Sequence, residues 1–307
     1  MRFSSERVAF GRHETFPLRF GWLPKGIQAL HRDPKVFERD DSTVQLGVGR
    51  NMVNAIRYWL RAARMVGPSS YQITPLGKSL LSPTGFDPYL EDEGTIWLLH
   101  WLTVSNSELA TSLFWFFNRF HKKEFSAEEM GTALNDFIED SVTQGKRPSK
   151  KTVKSDASVI LRMYSQSKVT QRIPLEDVLD SPFVSLRLIE HKSGEKVFVS
   201  RLGEAATLPI EIFGFALLEI MKAKERKQMP IEDLMYSLDE FPALGSSFRL
   251  TEAELIRKTE LLATNYPQFL DIREDAGMHQ IFLSLDETEP FELLDAYYGT
   301  SAKVDAA

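Results

Sequence analysis

Between Leu46 and Leu81 the apolar and basic positions interleave in a pattern that outlines three successive elements. Beyond Gly49, Met52, Ile56, Trp59, Leu60 and Ala63 recur mostly at spacings of three and four, which puts them on one side of a helix, toward a core. Arg50, Asn51, Asn54, Arg57, Arg61 and Arg64 fall on the other side. The spacing predicts a helix over 50–66, ended by Gly67-Pro68. A short β-prone run at Tyr71 and Ile73 follows, then a helix start at Thr74-Pro75. Helix, small hairpin, helix is the order of a winged helix-turn-helix. Such modules dock proteins as well as nucleic acid, and a basic amphipathic helix is often only a solvated face, so the order alone does not fix the partner.

The rest of the chain is read the same way. Phe16, Leu18, Phe20 and Trp22 stand two apart, a strand-like period over residues 1–22. Pro24 opens a helix over Lys25–Arg32 with Ile27, Leu30 and His31 inward, and shorter helices start at Asp33-Pro34 and Asp41-Ser42. Leu90 to Phe120 is apolar nearly all round, which predicts buried helices. Ser126 with Glu129 is a capping-box start for a helix to about Val142. The basic stretch TQGKRPSKK (143–151) reads as a loop before a helix over 150–166. Val184–Ile189 and Lys196–Ser200 flank His191–Gly194 as a hairpin or second wing. Helices are expected over 209–224, from Pro230 to Leu238 and from Thr251 to Thr264, then a hairpin pairing Phe269–Ile272 with Gln280–Leu283 around 275–277. The fold class is mainly α with small β-hairpins: a multi-domain, helix-rich chain with winged helix-turn-helix modules. The expected divisions are a basic N-terminal winged helix (1–84), a helical core with a candidate second wing (85–205), a winged-helix-like C-terminal domain (206–299) and a disordered tail (300–307).

Charge sharpens this picture. The 307 residues carry a net charge of −6, yet residues 1–84 hold 13 Lys and Arg against 6 Asp and Glu. The remainder is therefore strongly acidic, and a phosphate backbone is attracted to the first part and repelled by much of the second. The block Arg12, Arg19, Lys25, Arg50, Asn51, Asn54, Arg57 and Arg61 supplies the candidate DNA contacts. With no cysteine, disulfides, thiolate zinc sites and cysteine nucleophiles are all excluded. No apolar run reaches the roughly 18 residues of a membrane helix, and the first residues lack a signal core, so a cytoplasmic location is expected. P-loop, Rossmann and HExxH patterns are missing, which leaves NTPase, dehydrogenase and zincin readings without support.

Five blocks carry a resemblance: GRHETFPLRFGWLPKG (11–26), LGVGRNMVNAIRYWL (46–60), DPYLEDEGTIWLLHWL (87–102), FNRF (117–120) and VKSDASVILRMY (153–164). With them the chain resembles a bacterial family catalogued as domain of unknown function 4007. That family includes the SspB-type proteins of the Ssp DNA phosphorothioation and phage-defence system. One departure is Arg12, which stands directly before the His-Glu-Thr-Phe block where the family is expected to have glycine. The resemblance implies a nickase for double-stranded DNA, an endonuclease that opens one strand so that sulfur can replace a non-bridging phosphate oxygen. It also implies a cysteine desulfurase, an ATPase and a reductase-like protein as partners. The rival is a non-enzymatic DNA-binding adaptor or regulator that positions the sulfur-transfer partners.

Catalytic candidates come from chemistry alone. Strand cleavage needs a nucleophile, charge stabilisation at phosphorus and commonly Mg²⁺ on hard oxygen ligands. Asp87 and Glu91 are four apart, so one helical turn would align them as metal ligands. They would equally serve as acids at the positive end of the helix that Leu90 opens. His13 is a candidate general base and Glu14 its orienter or a metal ligand; a polar pair capping local structure is the alternative. His100, among Trp and Leu, reads as a hydrogen-bonded core histidine. Asp156 is either a distant contributor to a metal site or an ordinary surface aspartate.

Overall fold

The computed structural model describes residues 1–166, 181–192, 194–275, 278–284 and 289–304. Backbone contacts divide the chain into two compact units, one of residues 4–116 and 122–200, the other of 1–3, 117–121 and 201–307. The described residues are about half helical, with two small three-stranded antiparallel sheets.

In the 4–116/122–200 unit, α1 (Trp22–Arg32), α2 (Ser42–Leu46) and α3 (Arg50–Ala62) pack on one another. Ile27 and Leu30 face inward as expected, whereas His31 is exposed. Val53, Ile56, Trp59 and Leu60 of α3 are buried, each aromatic or branched side chain contributing about 1.5–3 kcal/mol on leaving water. The buried Trp59 indole donates to the Phe16 carbonyl at 3.2 Å, so its N–H is not orphaned. α3 ends earlier than 66, because Ala63 closes it and Arg64 turns left-handed at φ +58°. The hairpin beyond it reduces to one antiparallel bridge, Val66 to Ile73. The Thr74 side chain accepts from the Gly77 N–H and caps α4 (Pro75–Leu81). Gly77 is required there: a Cβ would lie 2.2 Å from the Met65 carbonyl oxygen.

α5 (Glu93–Val104) is buried from Gly94 onward, the apolar helix that its sequence predicts, and α6 (Thr111–Asn118) follows it. Ser126 and Glu129 form the expected capping box on α7 (Ala127–Ser141). α7 packs against α8 (Lys150–Tyr164), whose N-cap is Ser149. The first sheet runs β1 (Glu124–Phe125), β3 (Phe198–Val199), β2 (Glu190–His191), so the hairpin around 191–194 forms but is shorter than predicted. Residues 182–186 are a 3₁₀ turn rather than strand. The alternation over 1–22 makes no strand: residues 11–15 turn tightly, Pro17 interrupts, and only Leu18 and Trp22 of the four apolar positions are buried.

In the other unit, Ile210–Ala223 packs against Glu252–Asn265 and Phe291–Val304. The expected helix from Pro230 is only a 3₁₀ turn, Ile231–Leu234. The second sheet has order β4 (Gln228–Pro230), β6 (Met278–Leu283), β5 (Leu270–Asp275), with Ile272 opposite Ile281. The chain stays helical to Val304, although the sequence predicts a tail from 300. Ser193, Ala276, Gly277 and the end of the expected tail at 305–307 lie outside the described residues.

Candidate nucleic-acid interface

α3 presents the basic face. Arg50 and Asn51 are exposed and Asn54, Arg57 and Arg61 half-buried. Tyr71, from the hairpin, organises the last two. Arg57 Nε donates to the Tyr71 hydroxyl at 2.9 Å and its Nη2 donates to the same oxygen. The guanidinium carbons of Arg57 and Arg61 lie 5.0 and 4.6 Å from the Tyr71 ring centroid. Cations over an aromatic face gain from its quadrupole, so the ring gathers two positive charges without neutralising them. Phe37 backs the ring at 5.5 Å. Among the described residues, Arg50, Arg57 and Arg61 have no carboxylate partner. The buried Arg61 Nε has no hydrogen-bond partner among the described residues.

The other expected basic residues divide. Arg12 is exposed. Arg19 lies over Phe16 and Trp22, 5.7 and 5.4 Å from their rings. Lys25 donates to the Leu46 carbonyl at 3.2 Å and so serves the C-terminal end of α2. Arg64 leaves the face: its Nη2 donates to Ser105 Oγ at 2.7 Å.

Beside α3 lies a loop with unusual backbone. Gly11, Glu14 and Thr15 all have positive φ, +68°, +52° and +66°. For Glu14 and Thr15 this costs about 1 kcal/mol or more each, so surrounding contacts must hold them. They do. His13 Nδ1 accepts the Thr15 N–H at 3.1 Å, and its Nε2 lies 2.8 Å from Asp156 Oδ1. Because Nδ1 accepts, the proton sits on Nε2 and is donated to the carboxylate. Asp156 Oδ1 also accepts the Gly11 N–H at 2.9 Å, and Oδ2 accepts from Ser112 Oγ at 2.5 Å. Arg162 donates to the Thr15 carbonyl. The His13 ring stacks on Trp59 of α3 with centroids 6.3 Å apart. Burial, and then the Asp156 charge, push the neighbouring Tyr58 hydroxyl far above its usual range.

His13, the expected general base, is held inside the protein. It is 5% exposed and both ring nitrogens are engaged inside the protein. The order Ser112–Asp156–His13 puts the carboxylate in the middle, whereas activation of a serine requires the imidazole there. Glu14 is exposed on the strained turn. Asp156 is not a surface residue but the buried anchor of the loop, 2% exposed.

The helical face expected to join Asp87 and Glu91 does not form, because α5 starts only at Glu93. Asp87 is buried and its oxygens accept the N–H groups of Glu91 and Asp92 at 2.8 and 3.1 Å. Asp92 then caps α5 through Thr95. Glu91 is exposed at an open cavity of about 960 Å³, with Glu93, Tyr164, Arg187 and His191 among its lining. His100 is a core histidine as expected, 2.8 Å from the Tyr164 hydroxyl.

A family model for a "Protein of unknown function (DUF4007)" matches residues 10–298. The chain belongs to this DUF4007 family. Two solved structures, "SspB crystal structure" and "Magnesium ion-bound SspB crystal structure", each superpose with a TM-score of 0.82 at 29% identity. Each match covers 97% of this chain and 89% of the other. Curated proteins yield no match.

Within this DUF4007 chain, Arg12 fits where a glycine was expected, because its φ is not positive; the left-handed positions are Gly11, Glu14 and Thr15. The described residues gather no group of three His, Asp or Glu side chains able to hold a metal ion. The expected set of His13, Glu14, Asp87 and Glu91 thus makes no such group, and no reaction step is assigned to it. Sequence reasoning missed Tyr71 as an arginine clamp and Asp156 as an anchor. A signal for Asp156 existed: it shares the α8 stripe of Val153, Ala157 and Ile160, all buried.

Proposed function

We propose that this chain is an SspB-like, DNA-binding component of an Ssp-type DNA phosphorothioation and phage-defence system. It engages duplex DNA through α3, in a winged-helix arrangement with the Val66–Ile73 hairpin as the wing. The observation that carries this reading is the α3 face, where Arg50, Arg57 and Arg61 lack carboxylate partners among the described residues and Tyr71 fixes two of them. Phosphates neutralise the arginines and release counterions. Asn51 and Asn54 are suited to the donor–acceptor edge of adenine. The acidic remainder of the chain faces the protein partners, a cysteine desulfurase, an ATPase and a reductase-like protein. The test is an electrophoretic mobility shift with wild type and an Arg50→Ala, Arg57→Ala variant. A folded variant should lose about tenfold or more in affinity; unchanged affinity removes α3 from the DNA surface.

The reaction we propose is Mg²⁺-dependent nicking of one strand, and the relative solved with magnesium supports testing it. The sequestration of His13 by Asp156 favours the adaptor as the second reading. Supercoiled plasmid incubated with the protein, with Mg²⁺ and with EDTA, separates the two. Relaxed circles appearing only with Mg²⁺ establish the nickase; none, with DNA binding intact, establishes the adaptor.

A further inference from the structure

A second basic face stands apart from α3. The stretch 143–155 holds five basic residues, Lys146, Arg147, Lys150, Lys151 and Lys154, and no acidic one, in a chain whose overall charge is −6. All five are exposed. Arg147 is spent on local structure, donating to the Val142 and Glu139 carbonyls at the end of α7. Lys146, Lys150, Lys151 and Lys154 have no carboxylate partner among the described residues.

The fold adds a fifth cation from a distant part of the sequence. Gly11 sits so close to α8 that a Cβ there would lie 2.7 Å from Thr152 Cγ2. Its N–H is tied to Asp156 on the same helix. Arg12, the next residue, is exposed and also without a carboxylate partner among the described residues, so it adds a cation beside the N-terminal turn of α8. Lysines in the first turns of a helix oppose the positive end of its dipole, and the first turn of α8 contains no acid to offset them. Unrelieved repulsion among Arg12 and the lysines is unfavourable in the free protein and is relieved by a polyanion. Continuity with α3 comes through His13, whose ring stacks on Trp59 of α3 while its Nε2 is bonded to Asp156 of α8.

We propose that Arg12, Lys146, Lys150, Lys151 and Lys154 form a second contact surface for the phosphate backbone of duplex DNA. This rests on the DNA-binding reading of the chain and extends it: α3 reads the groove, and the α8 face holds the flanking backbone without reading sequence. Lysines suit that task, since they act as point charges rather than planar forks.

The test uses the full-length protein and fluorescence anisotropy with a duplex of about 30 base pairs, titrated from low to moderate NaCl. Three proteins are compared: wild type, Lys150→Gln/Lys151→Gln/Lys154→Gln, and Arg50→Ala/Arg57→Ala. Removing one lysine–phosphate pairing lowers the slope of log affinity against log salt by about 0.9. The lysine variant should therefore lose about 2–3 from that slope and weaken by the same factor whatever the duplex sequence. The substituted side chains are exposed, and circular dichroism confirms the fold. An unchanged slope with the arginine variant weakened overturns the second surface and leaves α3 standing. A reduced slope with the arginine variant unchanged supports the lysine surface and overturns α3 instead. Lysine-dependent binding to phosphatidylserine vesicles, with no lysine effect on DNA, overturns the proposal in favour of a membrane.

Discussion

His13 and Asp156 stand 143 residues apart and share a buried hydrogen bond of 2.8 Å. Asp156 is the common acceptor for His13, Ser112 and the Gly11 N–H, so it ties the N-terminal loop, α6 and α8 together. Asp156→Asn keeps the shape but turns an amide N–H toward one of these donors. We expect a loss of about 3 kcal/mol of stability, since buried donors are left unpaired. Urea unfolding checks this, and a loss below about 1 kcal/mol would show that the bonds are not holding the loop.

Tyr71 acts on DNA only through the arginines that it holds. Tyr71→Phe keeps the ring under Arg57 and Arg61 but removes the hydroxyl that accepts from Arg57. Affinity for duplex DNA should fall about three- to tenfold with stability nearly unchanged. Tyr71→Ala should fall further, because the ring contact also goes. Equal affinity for wild type and Tyr71→Ala would show that the clamp has no part in binding.

Gly77 allows α4 to start against the backbone of the preceding hairpin. A Cβ would meet the Met65 carbonyl oxygen at 2.2 Å, and that carbonyl already accepts from the Thr74 N–H at 3.0 Å. Backbone cannot rotate away as a side chain can. Gly77→Ala should therefore cost more than about 2 kcal/mol, although alanine is the better helix former. A calorimetric midpoint at or above that of wild type would contradict this.

His121 gives a pH dependence of known sign. Burial, then the charges of Arg249 and Arg119, hold its pKa below the ordinary 6.5. The unfolded chain thus takes up this proton at higher pH than the folded chain does. Stability from this residue is full above 6.5, declines as pH falls from there to the folded pKa, and is flat below. Histidine NMR should give a midpoint under 6.5 that rises in Arg119→Ala. A midpoint at or above 6.5 in wild type would refute the account.

Local signals in the sequence carry through to the fold. Ser126 with Glu129, Thr251 with Glu254, and Thr74 before Pro75 each cap the helix that they announce, because a cap depends on residues a turn apart. The buried face of α3 is legible from its spacing. Its early end is not, because Arg64 is pulled left-handed and inward to Ser105, a partner 41 residues away. The alternation at Phe16–Trp22 looks like a strand, but a strand needs a partner and nothing local shows that none pairs with it there. Asp87 and Glu91 look like neighbours on a helix, yet Asp87 uses its carboxylate to organise the turn before α5. Asp156 looks like a surface residue because its three donors come from Gly11, His13 and Ser112, none of them near it in sequence.

The most direct measurement places a photocrosslinker on α3 itself. Asn51 is exposed at its N-terminal turn and can be replaced by benzoylphenylalanine without disturbing the core. Leu238, 86% exposed in the other unit, is the control position. The account predicts that the probe at 51 crosslinks to duplex DNA on irradiation, that excess unlabelled duplex suppresses the product, and that the probe at 238 gives little. Crosslinking from 238 but not from 51, with both proteins folded and binding DNA, would contradict it.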